Sequence, residues 1–123
     1  MEKCNNRQAG IETAIQVISG KWITPILYQI ALNETIRFNE LQRNIPNITK
    51  KMLTMKLKEL EYHQIIERTV YPEVPVRVEY KFTEHGKKLE PLFRLMSDWG
   101  ELHIEHLEKT YGDEFSYEKL KKY

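Results

Sequence analysis

The chain has 123 residues, of which 41% are hydrophobic and 30% are charged, and its formal net charge is only +1. This length and composition indicate a single ordered globular domain over 1–123 and exclude a disordered chain. No apolar run approaches the ~18 residues of a membrane helix, no signal-peptide pattern is present, and the lone Cys4 cannot form an internal disulfide, so we expect a cytoplasmic protein without membrane association.

Two helices are predicted in the first third of the chain. Apolar residues recur at helical spacing within residues 8–19, which predicts a helix that Gly20 ends. Residues 22–32 are apolar on most sides, so we expect a buried helix there. Pro25 fits that helix only near its start, where the missing N–H group loses no hydrogen bond.

Residues 36–62 predict a helix-turn-helix. A polar break at 33–35 precedes a short helix with one apolar stripe, which Pro46 ends because the residue before proline avoids helical dihedral angles. Thr49 then suits the N-cap of a second helix. One side of this second helix is a leucine seam that should face the core, and the other side is polar and basic. The seam is Leu53, Leu57 and Leu60, and the opposite side collects Lys51, Thr54, Met55 and Lys58, with Lys50 beside them.

Residues 65–82 predict a two-stranded β-hairpin, or wing, because the apolar period changes there from helical spacing to two. Prolines within residues 72–75 mark its tip, since proline lacks the N–H donor that a strand ladder needs. The expected apolar face is Ile66, Val70, Val78, Tyr80 and Phe82, and the expected polar face is Glu67, Thr69, Arg77, Glu79 and Lys81.

The last third of the chain predicts a long amphipathic helix over residues 89–111. Thr83 suits its N-cap, Pro91 indicates a start or kink nearby, and Gly112 suits its end. Residues 114–123 predict either a short final helix or a frayed tail.

The charge distribution favours nucleic-acid binding by the middle of the chain. Residues 36–88 carry 11 basic and 7 acidic side chains, whereas residues 89–123 carry 5 basic and 8 acidic ones. A helix displayed after a short turn can enter the major groove, where lysines contact phosphates and short side chains contact base edges. Arg77 either enters an adjacent minor groove or stacks on Tyr71. The candidate DNA-binding residues are Arg37, Asn39, Thr49, Lys50, Lys51, Thr54, Met55, Lys58 and Arg77.

Six short motifs follow one another along the chain. They are Gly20-Lys21-Trp22, Arg37-Phe38-Asn39-Glu40-Leu41, Ile48-Thr49-Lys50-Lys51-Met52-Leu53-Thr54, Leu57-Lys58-Glu59-Leu60, Pro75-Val76-Arg77-Val78-Glu79-Tyr80 and Thr83-Glu84-His85-Gly86. In this order they resemble the HxlR-type winged helix-turn-helix regulators, relatives of the MarR family, over roughly Ile11 to Gly100. The resemblance implies a mainly α fold with a small β-hairpin wing (α+β). It also implies a bacterial transcription regulator, more commonly a repressor, that binds a near-palindromic operator in double-stranded DNA as a homodimer.

The resemblance further implies that the first and last helices, 8–19 and 89–111, build the dimer. The interface candidates are Ile11, Ile15, Leu92, Met96, Trp99 and Leu102, for which burial within one chain is the alternative. Many members carry a cysteine ahead of the first helix, usually before a proline, and some of them sense oxidants through it. Alignment on Gly20 puts that position at Ala9, so Cys4, five residues earlier, is only a possible redox residue.

No motif for catalysis or for a cofactor is present. The chain lacks a glycine-rich phosphate loop, a Gly-x-Ser-x-Gly elbow and a His-Glu-x-x-His helix, so we expect neither an enzyme nor a cofactor. His103 and His106 bring too few converging ligands for a metal site. Two other functions stay open, namely a winged-helix module that binds an acidic protein and a redox- or ligand-responsive form of the regulator whose effector is unknown.

Overall fold

The computed structural model describes residues 2–123, and of residues 2–5 it describes the backbone alone, so the Cys4 side chain lies outside the described residues. Two compact units divide between Lys87 and Lys88 within the predicted 1–123 domain. The elements in chain order are α1 (Glu2–Ile18), α2 (Ile23–Asn33), β1 (Thr35–Arg37), α3 (Phe38–Asn44), α4 (Lys50–Tyr62), β2 (Ile66–Tyr71), β3 (Arg77–Phe82), α5 (Glu84–Lys87), α6 (Glu90–Tyr111) and α7 (Tyr117–Lys122), with a 3-10 turn at Gly112–Glu114 before α7.

The first unit contains an antiparallel sheet of three strands in the order β1-β3-β2. The predicted hairpin is present, and residues 66–71 pair in reverse order with residues 77–82. The strand β1 was not predicted, because three residues are too few to display a period of two. Its central residue, Ile36, is buried opposite Tyr80 of β3, so a tertiary partner decides its conformation.

The core of the first unit is aliphatic, and α2, β1, α3, α4 and β2 all contribute to it. Its most deeply buried large side chains are Ile26, Ile30, Ile36, Leu41, Leu53, Leu57, Leu60 and Ile66. Burying each such side chain is worth about 1.5–3 kcal/mol. The structure thus confirms the leucine seam. The helix α2 is buried on one face only, because Tyr28 and Leu32 are each 61% exposed, so the prediction of a helix buried on most sides was too strong. No helix among the described residues combines the length and apolar content that crossing a membrane requires.

Most helix ends follow the local sequence signals. Gly20, which follows α1, has a φ of 122°, and Gly112 caps α6 with a φ of 56°, so both glycines occupy conformations that other residues rarely adopt. Pro25 lies in the first turn of α2, and Pro91 lies in the first turn of α6, as their missing N–H groups require. The helix α1 begins at Glu2, earlier than the predicted residue 8.

Thr83 caps the short helix α5 and not the long helix α6, so the prediction for its role was wrong. Its Oγ1 accepts the N–H of Gly86 at 2.9 Å, and its own N–H donates to the carbonyl of Ile65 at 3.1 Å. A single continuous helix cannot include both α5 and α6, because the ring of Pro91 would clash with the carbonyl of Lys87, four residues earlier. Thr83 instead ties α5 to the turn between α4 and β2.

Gly86 lies too close to the backbone of Ile65 for any side chain to fit. A β-carbon at Gly86 would come within 1.9 Å of the Ile65 carbonyl oxygen. We therefore predict that Gly86→Ala lowers the free energy of unfolding by about 3 kcal/mol or more, since one backbone must move away from the other. Thermal denaturation at fixed protein concentration would show this change as a lower Tm.

Gly10→Ala is the matched control, because nothing lies within 4 Å of a β-carbon at Gly10 in α1. The control should leave the Tm unchanged or raise it slightly, as alanine favours helix over glycine. A Tm for Gly86→Ala equal to that of the unsubstituted protein would contradict the packing described here.

Candidate nucleic-acid interface

The turn between α3 and α4 sets the amino end of α4 at the surface of the first unit. Ile45 and Ile48 on either side of the turn are buried, and Asn47 between them adopts a left-handed φ of 69°. Thr49 then caps α4, as predicted, with its Oγ1 accepting the N–H of Met52 at 3.0 Å. Because this bond uses a lone pair, the hydroxyl hydrogen of Thr49 remains available to donate to an anion.

Three lysines of α4 are exposed and carry uncompensated charge. Among the residues that the structure describes, Lys50, Lys51 and Lys58 make no ion pair. Lys56 on the same helix differs, since it pairs with Glu59 at 3.3 Å. The lysines predicted to contact phosphates are therefore the ones that have no carboxylate partner.

The two uncharged candidates on α4 present different chemistry. Thr54 is half-buried, and its hydroxyl donates to the carbonyl of Lys50 at 2.8 Å. That bond occupies the hydroxyl hydrogen, so Thr54 offers an approaching base its methyl group and one oxygen lone pair. Met55 is 46% exposed and offers an apolar surface of the kind that contacts a thymine methyl group.

A groove of about 430 Å³ separates α4 from the hairpin. It is lined by Phe38, Lys50, Thr54, Lys58, Glu61, Arg68, Val78 and Tyr80. The groove thus brings three of the predicted residues together with Arg68, which the sequence analysis did not identify. A signal for Arg68 was present, because strict alternation along β2 places it on the face that also carries Ile66 and Val70.

Tyr80 of β3 lines this groove and carries a neutral hydroxyl. Burial raises the pKa of Tyr80 above its ordinary value, the guanidinium of Arg68 acts in the opposite direction, and the carboxylate of Glu61 raises the pKa further. Arg68 is the cross-strand neighbour of Tyr80 in the hairpin register. The phenol therefore stays protonated at neutral pH beside a cation.

Arg77 is held within the hairpin. Its guanidinium contacts the carboxylates of Glu73 at 2.9 Å and Glu79 at 2.8 Å, and it stacks over the ring of Tyr71 at 3.9 Å from the centroid. The stacking alternative that the sequence left open is therefore present. Entry of Arg77 into a minor groove stays a prediction, and it requires the guanidinium to leave both carboxylates.

The remaining DNA-binding candidates surround the groove without lining it. Arg37 ends β1, Asn39 lies in the first turn of α3, and both are exposed on either side of Phe38. Lys51 and Met55 lie on the neighbouring stripe of α4. The structure thus places these four residues on the exposed surface and leaves their contacts with DNA as predictions.

The predicted dimer residues form exposed apolar surface. On α1, Ile11 is 61% exposed and Ile15 is 55% exposed, whereas α6 buries none of its residues. On α6, Met96, Trp99 and Leu102 are exposed, as is Leu95, which was not predicted, and Leu92 is half-buried.

The histidines of α6 were considered as metal ligands. The rings of Trp99 and His103 stack with their centroids 4.8 Å apart. The described residues include no group of three or more His, Cys, Asp or Glu side chains that could hold a metal.

Known proteins share this sequence pattern over most of the chain. Residues 17–108 match a family model described as HxlR-like helix-turn-helix. YdeP of Bacillus subtilis (strain 168), an uncharacterised HTH-type transcriptional regulator, is 43% identical over 99 residues, which cover 80% of this chain and 77% of YdeP.

Solved structures share the fold as well. The redox regulator HypR in its reduced form aligns with a TM-score of 0.74 and 43% identity, covering 81% of this chain and 98% of HypR. A candidate MarR-family regulator from Enterococcus faecalis V583 aligns with a TM-score of 0.76 and 31% identity, covering 83% of this chain and 92% of that protein. The predicted fold, mainly α with a small β wing, is therefore confirmed.

Proposed function

This chain belongs to the HxlR-like helix-turn-helix family of transcription regulators, and from that premise we propose that it is a homodimeric, sequence-specific DNA-binding repressor. The observation that carries the proposal is the exposed face of α4. Lys50, Lys51 and Lys58 stand there without carboxylate partners, opposite a fully buried leucine seam. A helix with one buried apolar face and one exposed basic face can enter the major groove, where its lysines contact the phosphates.

Two copies of α4 are needed to read a near-palindromic operator. The exposed apolar residues of α1 and α6 support pairing of two chains, because large exposed apolar surfaces mark association sites. A two-fold dimer would set its recognition helices about 34 Å apart, one turn of the duplex. Binding at such a site in the cytoplasm represses transcription by excluding polymerase from the same DNA.

Removing two of these lysines tests whether α4 is the recognition helix. We predict that Lys51→Ala together with Lys58→Ala weakens binding to every duplex. The variant should also lower the steepness of the salt dependence by about 4, because a dimer loses four phosphate contacts and each contributes about 0.9. The measurement is a titration over a range of salt concentrations. The duplexes are DNA from upstream of the protein's own gene and a scrambled duplex of equal composition.

Two further variants are measured in the same titration, one as a control for the loss of charge and one as a test of sequence preference. The double variant Lys121→Ala and Lys122→Ala removes equal charge from α7 and should leave the salt dependence unchanged. Thr54→Val keeps the methyl group but removes the hydroxyl, so it should alter the preference between the two duplexes more than the affinity for scrambled DNA. Binding by the Lys51 and Lys58 double variant equal to that of the unsubstituted protein would rule out α4 as the recognition helix.

Charge placed in the proposed interface should dissociate the dimer. We predict that Trp99→Glu gives a sedimentation mass near the 14.8 kDa of one chain, whereas the unsubstituted protein sediments at about twice that mass. Thr110→Glu introduces the same charge at an exposed polar position of the same helix and should remain dimeric. If Trp99→Glu sediments as the unsubstituted protein does, this face of α6 is not the interface.

A redox-responsive form of the same regulator is the second candidate. It is supported by the 43% identity to HypR, which is described as a redox regulator and is known in reduced and oxidised forms. Cys4 is the only cysteine of this chain, so any thiol response must pass through it. We predict that diamide changes the affinity of the unsubstituted protein for its upstream DNA and leaves Cys4→Ser unaffected. An equal response in both proteins would eliminate Cys4 as a sensor.

A further inference from the structure

The hairpin carries two arginines, of which one is ion-paired and the other is not. Arg77 is bound by Glu73 and Glu79, so its charge is compensated within the hairpin. Arg68 is exposed, and among the described residues no carboxylate lies within ion-pairing distance of it. The tip between the strands, residues 72–76, contains no lysine or arginine. The uncompensated positive charge of the hairpin therefore lies at Arg68 and not at the tip.

Arg68 faces the basic side of α4 across the groove. Lys50 and Lys58 line the wall that α4 forms, and Arg68 lines the wall that the hairpin forms. Tyr80, the cross-strand neighbour of Arg68, lines the hairpin side together with Val78. Glu61, near the carboxyl end of α4, is the acidic residue of the lining and lies three residues beyond Lys58. The result is a channel with cations on both sides, where three basic side chains outnumber the one carboxylate of the lining.

The geometry of B-form DNA determines which part of a duplex would contact this channel. In B-form DNA a single phosphodiester strand separates the major groove from each adjacent minor groove. If α4 lies in the major groove, the hairpin beside it faces the neighbouring minor groove, so the separating strand must pass between them. In that arrangement, the channel between α4 and the hairpin is the path open to the strand.

We infer that Arg68 is a further DNA-binding residue, which clamps the phosphodiester strand between the major and minor grooves against Lys50 and Lys58. This inference rests on the proposed function and adds to it the residue that anchors the hairpin to the duplex. Arginine suits the task because its planar guanidinium donates two parallel hydrogen bonds to one phosphate. A contact of this kind fixes the register of α4 on the duplex without reading a base.

Arg68→Gln is the variant that tests the clamp. It should weaken binding to upstream and scrambled duplexes by the same factor. It should also lower the steepness of the salt dependence by about 2, because a dimer loses two arginine–phosphate contacts. Arg68→Lys keeps the charge and should keep the salt dependence, with a smaller loss of affinity because it cannot form the paired hydrogen bonds. Thermal denaturation of each variant confirms that the exposed substitution leaves the fold intact.

Lys81→Gln is the matched control. Lys81 lies on the same hairpin, and its side chain is 51% exposed. It pairs with Glu67, and this cross-strand pair is next to the pair of Arg68 and Tyr80. It points to the other face of the sheet, so its loss should leave the salt dependence unchanged. Equal salt dependence for Arg68→Gln and Lys81→Gln would overturn the clamp.

The same titration separates failure of the clamp from failure of the proposed function. Normal DNA binding by Arg68→Gln, together with weakened binding by the Lys51 and Lys58 double variant, overturns the clamp and leaves α4 as the recognition helix. No binding of either duplex by the unsubstituted protein overturns both.

Discussion

Burial of the leucine seam of α4 fixes which side of that helix faces outward. Leu53, Leu57 and Leu60 are each no more than 1% exposed, and truncating a buried leucine typically costs about 2–5 kcal/mol. Rotating α4 by one residue, or 100°, would expose this seam, and no solvation of lysines offsets such a loss. The basic face therefore points to solvent because the opposite face is buried.

The hairpin depends on a second constraint, the contact between Gly86 and Ile65. Thr83 bonds to Ile65 and to Gly86, and the missing side chain of Gly86 lets the two backbones meet. This contact holds the end of β3 against the turn that leaves α4. The distance between helix and hairpin is thus set by core packing and backbone bonds, and the cationic channel between them is a consequence.

The sequence predicted the features that depend on periodicity and on glycine, proline or capping residues. The helices, the leucine seam, the N-cap at Thr49 and the hairpin follow from local patterns that one stretch of chain displays by itself. The strand β1 and the role of Thr83 were missed because each depends on a distant partner, namely β3 for the strand and Ile65 for the cap. Arg68 was missed because its importance lies in what faces it across a groove, although alternation along β2 indicated its direction. The contacts of the candidate residues with DNA remain predictions for a related reason, since they belong to a complex of several molecules.

We propose that two copies of α4 enter successive major grooves on one side of the duplex. Dimethyl sulfate footprinting of the upstream DNA tests it most directly, because this reagent methylates guanine N7 in the major groove and adenine N3 in the minor groove. The bound dimer should protect guanine N7 in two clusters about one helical turn apart. Protection of a single cluster, or of adenine N3 without guanine N7, would contradict it.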